Sequence, residues 1–374
     1  MTLELRTNIG NEDHPEDIPY EFRLSTYEYD IPPELIAQEP AAIRDESRLM
    51  VINRRNSSID HRLFRDLPIF LRESDVLVLN QTSVIPGLLK GHKSTGGSVE
   101  LLVLNPGIPM KTDSARDETL RECLVKTSKP LKAGSPILLD DHTLLVTQHP
   151  LAPGRALIRF PCPENEFLRF LKNYGLTPLP PYIKSGANTT VQHDQRYQTI
   201  YSKAPGSVAA PTAGLHFTNE LLSRIKEMGV SVVMITLHVG IGTFMPMRTP
   251  DIRNHRMETE LFEVPEQAAA SINSAIRSNR RVIAVGSTSM RTLESAAIDD
   301  ETVIYGSQST DLFIKPGYRF KIPDAMLTNF HLPHSTLLPL VSAFSSIPMI
   351  KECYAEAIKH RYRFFSYGDS SLFI

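Results

Sequence analysis

The sequence has few cysteines, no long apolar run and almost no net charge. Cys123, Cys162 and Cys353 are the three cysteines among 374 residues, and no two stand close enough for a paired-thiolate zinc site or a redox pair. A reducing, cytoplasmic setting is therefore expected. No apolar stretch approaches the ~18–20 residues that cross a bilayer. The first residues, MTLELRTNIGNEDHPED, lack a signal peptide's apolar stretch. No membrane partner is expected. The formal charge is -2, from 40 basic and 42 acidic residues, which argues against nucleic-acid binding by bulk charge. What is present, 41% hydrophobic and 22% charged residues, is the composition of a folded chain, and the length suggests two or three domains.

Charge is unevenly placed. Residues 1–22 carry Glu4, Glu12, Asp13, Glu16, Asp17 and Glu21 against Arg6, with no helical or strand period, and read as a mobile acidic tail. Without them the body holds 39 basic and 36 acidic residues, a net +3. The tail is expected to be dispensable for activity.

The apolar runs Leu49–Ile52 and Val76–Leu79 do not alternate, so both read as strands buried on two faces of a helix-covered sheet. Between Val84 and Phe160 the pattern changes to short strands separated by Gly/Pro turns such as Thr95-Gly96-Gly97-Ser98 and Ala133-Gly134-Ser135-Pro136. That spacing predicts a small all-β barrel or sandwich, with a long hairpin loop over 105–119. From Glu164 helices and strands alternate, including a Thr218-capped helix over 219–228 that stops at Gly229, a strand over 230–239, a helix opened by Pro265, a strand over 281–285 and a helix near 290–297. The expected architecture is an α/β domain with a mostly parallel sheet, built from residues 23–83 and 161–374 and interrupted by a β-barrel insert over 84–160.

Ligands of open α/β sheets sit beyond the carboxyl ends of the strands, which selects Asn80–Ser83, His238–Phe244, Gly286–Arg291 and Asn329–His331. Gly286-Ser287-Thr288-Ser289-Met290-Arg291 joins a strand to a helix and suits an anion, although an ordinary helix start explains it equally well. Gly240-Ile241-Gly242 lacks the third glycine of a dinucleotide fingerprint. His216 lies in a Gly-containing loop and His238 at a strand end. His255, Glu258 and Glu260, and His331 with His334, have no i, i+4 histidine pair of the helical zinc type, so no metal site is assigned. Lys359-His360-Arg361-Tyr362-Arg363-Phe364-Phe365-Ser366-Tyr367 interleaves cations and aromatics, as phosphate contact with base stacking needs; a helix end with inward aromatics gives the same pattern.

Longer strings are more specific. Ala209–Phe217, Thr236–Phe244, Gly286–Glu294, Thr328–Pro333 and Tyr362–Asp369, together with Leu35–Gln38, Arg44-Asp45 and Ser47–Leu49, closely resemble the S-adenosylmethionine:tRNA ribosyltransferase-isomerases of queuosine biosynthesis. The resemblance implies an α/β enzyme with an inserted barrel, no cofactor beyond S-adenosylmethionine as a consumed substrate, and a tRNA bearing 7-aminomethyl-7-deazaguanine at the wobble position as partner. Adenine and methionine would leave, giving epoxyqueuosine in the tRNA. The chemistry requires a base beside the sulfonium, a donor to departing adenine, and exclusion of water. His216, His238, His255, Glu260 and His331 are the expected acid/base groups, His216 and His238 foremost. Thr212, Gly214, Gly240, Gly242, Thr243, Gly286, Thr288, Ser289, Arg291 and Asn329 are expected to bind S-adenosylmethionine, and Lys359, Arg361, Arg363 and Tyr367 the tRNA. A monomer is expected. Members of the family usually read His-x-Met-His-x-Glu where this chain has His255-Arg256-Met257-Glu258-Thr259-Glu260, so Glu258 replaces a histidine. Two other readings are a methyltransferase, which would want a Gly-rich loop where Asn80-Gln81-Thr82-Ser83 stands, and a non-catalytic RNA-binding protein.

Overall fold

A computed structural model describes residues 17–104, 119–152, 154–184 and 190–374. Most of the acidic tail and most of the 105–119 loop lie outside them.

The α/β body is a nine-stranded mixed sheet. In chain order its first strands are β1 (Arg48–Asn53), β2 (Ser58–Leu63) and β3 (Val76–Asn80). A short strand, β4 (Thr82–Val84), leads out of the sheet into a closed barrel of β5 (Leu88–Lys93), β6 (Ser98–Val103), β7 (Leu120–Thr127), β8 (Pro136–Leu139), β9 (His142–Ala152) and β10 (Arg155–Arg159). Helix α1 (Glu164–Tyr174) packs Phe167, Phe170 and Leu171 into the barrel core. After α2 (Thr190–Arg196) the chain returns as β11 (Ala204–Ser207), which pairs in parallel with β4. The body then resumes with α3 (Asn219–Glu227), β12 (Ser231–Leu237), β13 (Glu260–Val264), α4 (Glu266–Arg277), β14 (Val282–Val285), α5 (Gly286–Ala296), β15 (Gly306–Thr310), β16 (Ala325–Asn329), α6 (Leu337–Phe344), α7 (Ile347–Lys359) and β17 (Ser370–Phe373).

The sheet runs β15-β13-β12-β3-β14-β16-β17-β1-β2. Its middle four strands, β12, β3, β14 and β16, are parallel, so their carboxyl ends share one edge. The flanking β13, β15 and β2 join antiparallel, as does β17 to β16. The parallel expectation therefore describes the centre, and antiparallel pairing describes the margins.

The non-alternating apolar runs have a direct cause. Val76 and Val78 face one core with α4, α5, α6 and α7, whereas Leu77 and Leu79 face a second core with α3. Both sheet faces are covered, so every β3 position is apolar or pinned: Asn80, at its end, is buried and bonds Leu237 through both amide atoms, accepting from its N at 3.0 Å and donating to its O at 2.9 Å. Thr218 caps α3 by accepting from Leu221 N at 3.1 Å. Pro339 sits in the first turn of α6, where a missing N–H costs no helical bond.

One expectation changes. Residues 17–22 do not behave as a tail: Ile18 is 3% exposed, its carbonyl accepts from Arg23 Nε at 2.6 Å, and Tyr27 donates to the Glu21 carbonyl at 2.6 Å. Composition hid this because one buried isoleucine among acids leaves no periodic signal. Ile18→Ala is expected to lower stability by about 2 kcal/mol or more, as for other buried truncations. A denaturant midpoint equal to wild type would restore the tail reading.

Candidate active site

Two adjoining cavities open where the parallel strands end. The inner one is lined by Tyr182, Tyr197, Ala210, Thr212, Val239, Gly286, Asn329, Phe330, His331 and Phe365 among others. The outer one is lined by Gly242, Arg248, His255, Arg256, Glu258, Glu260 and Arg291 among others. Thr243, Ser287, Thr288 and Leu337 belong to both and form the passage between them. Val239, Gly286 and Phe330, which follow β12, β14 and β16, all line the inner cavity, so it lies at the edge where open α/β sheets bind ligands.

The floor of the passage is the β14–α5 junction. Gly286 has φ +86, a left-handed conformation that glycine adopts without penalty, and it starts α5 directly after Val285. The helix thus begins four residues earlier than the sequence pattern indicates, which puts Ser287 and Thr288 in its first turn with no side-chain cap. Thr249 Oγ1, Thr288 Oγ1 and Arg291 Nη2 are buried polar atoms of cavity-lining residues with no hydrogen-bond partner among the described residues. Buried polar groups are normally paired, so these await a ligand.

Glu260 and Arg291 form a buried ion pair through Oε2 and Nη1. Glu260 Oε1 accepts from Gly240 N at 2.8 Å, and Arg291 Nε donates to the Leu312 carbonyl at 3.1 Å. Both carboxylate oxygens are engaged, so Glu260 serves to hold the Gly240 loop against α5. Glu258 accepts from Arg155 Nη2 of β10 at 2.6 Å and so ties the barrel to the mouth of the outer cavity.

The histidines separate into two groups. His331 lines the inner cavity, with Nε2 3.0 Å from Thr328 Oγ1, and burial pushes its pKa down to about 3. His255 lines the outer cavity with its ring edge-on to Phe313; burial lowers its pKa as well. The other two do not line these cavities. His238 points to the opposite side of its strand from Val239, as the two-residue period requires; its Nδ1 lies 2.8 Å from Thr82 Oγ1 and it borders a separate depression. His216 is 5% exposed, stacked on Phe64, with Nδ1 2.6 Å from Ser47 Oγ and Nε2 3.0 Å from Asn329 Oδ1. Asn329 Nδ2 donates to the Phe365 and Ser366 carbonyls, so its Oδ1 must accept, and Nε2 of His216 carries the proton. With both nitrogens engaged, His216 orients Asn329, which does line the inner cavity.

Among the remaining expected ligand residues, Thr212, Gly242, Thr243, Gly286 and Thr288 line one cavity or both. Gly214 instead packs against Tyr201, whose hydroxyl would clash with an added Cβ. Gly240 contributes its N–H to Glu260, and Ser289 is fully buried within α5. Sequence reasoning missed Tyr182, Tyr197, Phe365 and Ser366, which reach the inner cavity from distant segments. Of the C-terminal set, Lys359 and Arg361 are exposed. Arg363 is turned inward onto the Glu39 and Tyr367 carbonyls, and Tyr367 is 4% exposed with its hydroxyl 3.0 Å from His193 Nδ1. That tyrosine is unavailable for stacking on a base.

Burial lowers the His216 pKa to about 4, the Asn329 hydrogen bond opposing the shift only in part. The unfolded chain, near 6.5, takes up this proton first, so the stabilisation is complete above about pH 6.5 and is lost as pH falls to about 4, amounting to as much as about 3 kcal/mol. The urea midpoint of wild type is expected to fall across that window, with a shallower slope for His216→Asn. Parallel slopes would contradict the assignment.

Comparison with known proteins agrees with the fold. A profile described as "Queuosine biosynthesis protein" matches residues 24–373. The S-adenosylmethionine:tRNA ribosyltransferase-isomerase of Symbiobacterium thermophilum is 48% identical over 354 residues, covering 94% of this chain and all of that protein. The protein of the same name from Thermotoga maritima is 43% identical over 352 residues, again covering 94% of this chain and all of the relative. The crystal structure of the S-adenosylmethionine tRNA ribosyltransferase from Thermotoga maritima aligns with a TM-score of 0.51 and 32% identity, over 94% of this chain and 100% of that one. On the length and strength of these matches, the chain belongs to the queuosine biosynthesis protein family.

Proposed function

We propose that the chain carries out the S-adenosylmethionine:tRNA ribosyltransferase-isomerase reaction of queuosine biosynthesis. It joins the ribosyl carbons of S-adenosylmethionine to the aminomethyl group of 7-aminomethyl-7-deazaguanine at the tRNA wobble position and rearranges them to the epoxycyclopentanediol of epoxyqueuosine. Adenine and methionine leave. The observation that carries this reading is the shared passage at Thr243, Ser287, Thr288 and Leu337, which joins an aromatic-walled chamber to a charged one.

S-adenosylmethionine has a matching polarity. Its flat adenine suits the chamber of Tyr182, Tyr197, Phe330 and Phe365, and its zwitterionic methionyl end suits Arg248, Arg291 and Glu258. The ribose and sulfonium then lie in the passage, over the first turn of α5 and Thr288. His331, buried in the inner cavity, and His255, half-buried in the outer one, both have pKa values lowered by burial and are the residues placed to move protons. His216, Asn329, Glu260 and Gly240 position the walls. S-adenosylmethionine is consumed, and the proposal requires no further cofactor.

Methyl transfer is distinguished by its product. Labelled S-adenosylmethionine incubated with precursor-bearing tRNA should yield adenine and methionine; S-adenosylhomocysteine would point to a methyltransferase, and tRNA binding with no turnover to a binding protein. Thr288→Val removes a hydroxyl that has no protein partner while preserving shape. It is expected to leave stability nearly unchanged and to lower kcat/KM about 10-fold, the worth of one hydrogen bond. Unchanged kinetics would remove Thr288 from the passage.

Lys359 and Arg361 are proposed as tRNA phosphate contacts, with the mildly basic body providing a salt-sensitive grip. Arg361→Ala should weaken tRNA binding and reduce the slope of log K against log salt by about 1. A slope identical to wild type would place the tRNA elsewhere. Among the described residues no helix is long and apolar enough to cross a membrane.

A further inference from the structure

Among the described residues, one group of histidine and carboxylate side chains converges, and the proposed reaction does not use it. His61, on the edge strand β2, faces Glu356 in the last turn of α7 and His360 at its C-cap. One ligand atom from each lies within 4.8 Å of the other two. Glu356 Oε1 is 2.7 Å from His360 Nε2 and 3.7 Å from His61 Nε2. We propose that His61, Glu356 and His360 form a binding site for a divalent transition metal of the zinc class, at the opposite margin of the sheet from the substrate passage.

The donor set and its support both fit. Two imidazoles and one carboxylate are a common zinc combination, and bonds of ~2.0–2.1 Å in a tetrahedron place donors about 3.3 Å apart. The two measured separations bracket that value, so small side-chain rotations suffice. Glu356 and His360 are four residues apart and project from one face, a chelating pair from a single helix end. His61 is oriented from behind: its Nδ1 lies 2.7 Å from the Tyr362 hydroxyl, and Tyr362 is fully buried beneath the Arg48 guanidinium, 3.8 Å from the ring centre. Nε2 is thereby left to face the cluster, the arrangement by which metal-ligating histidines are normally held. The carboxylate is divided between tasks. Lys359 Nζ donates to Oε2 at 3.0 Å and more distantly to Oε1 at 3.4 Å, and Oε1 is the oxygen that faces the imidazoles. A fourth position remains for water, because His360 is exposed.

The site lies four strands from β14, about 19 Å at the usual strand spacing. A bound ion would pin the sheet's free edge to the end of α7 and to the left-handed turn at Arg361, whose φ is +54. Its role is structural, and its occupancy is separable from turnover.

The full-length protein, stripped with a chelator and exchanged into metal-free buffer, should be titrated calorimetrically with zinc chloride. One equivalent should bind, and cobalt in place of zinc should show the visible bands of a tetrahedral nitrogen–oxygen site. His61→Ala and His360→Ala, both at sites with exposed or half-exposed side chains, should each weaken zinc binding by at least 100-fold. Tyr362→Phe, which removes only the supporting hydrogen bond, should weaken it about 10-fold. Lys359→Ala should retain the site. Zinc uptake that is undiminished in folded His61→Ala and His360→Ala, or no uptake by the wild type at micromolar zinc, would overturn the proposal.

Discussion

The buried pair of Glu260 and Arg291 is the contact on which the site's shape depends. It joins the first residue of β13 to the second turn of α5, and through Glu260 Oε1 it also fixes the Gly240 loop that follows β12. Three walls of the outer cavity therefore meet at one carboxylate. Such a pair adds little net stability over an apolar substitute, but losing one partner leaves an uncompensated buried charge and costs about 3–5 kcal/mol. Its value is geometric: it sets the width of the passage in which Thr288 and Arg291 present unpaired donors.

A second layer of support works in the same way at the inner cavity. Ser47 from the start of the sheet, His216 from the loop before α3, and Asn329 from the end of β16 form a hydrogen-bonded chain that ends on the Phe365 and Ser366 carbonyls. Each member is buried, and each has its remaining polar atoms accounted for. A satisfied network of this kind specifies one arrangement of the segments it joins. It brings Phe365 and Ser366, from the C-terminal stretch, to the wall opposite α5, so the aromatic-basic segment contributes to the small-molecule cavity with its aromatic members and to the surface with Lys359 and Arg361. The inserted barrel makes a comparable attachment through Arg155 and Glu258.

Much of this organisation is visible in the residues. The doubly apolar runs mark strands covered on both faces, the Gly/Pro-punctuated short strands mark the barrel, and Thr218, Gly229 and Pro265 mark helix ends by local chemistry. The strands that were missed are those without such marks. β2 is half-exposed and polar, β13 and β15 lie at the margin, and β17 follows directly on a loop rich in aromatics. Their pairing is decided by neighbours far along the chain. Gly286 was legible as a strand-end position, and it lines the inner cavity, but the early start of α5 was not legible, because Ser-Thr-Ser carries no apolar period.

By itself the sequence determined the chain's family, the alternation of elements, and the strand ends that border the cavities. These depend on short-range patterns and on long strings of residues in fixed order. What only the tertiary structure decided was the function of each polar side chain. His216 and His331 both occupy loops near strand ends, yet Ser47 and Asn329 engage both nitrogens of the first, while the second lines the cavity. His238 is turned away by a single step of the strand's two-residue period. The partners that make these distinctions lie up to 169 residues away for His216, and local sequence carries no record of contacts made at that distance.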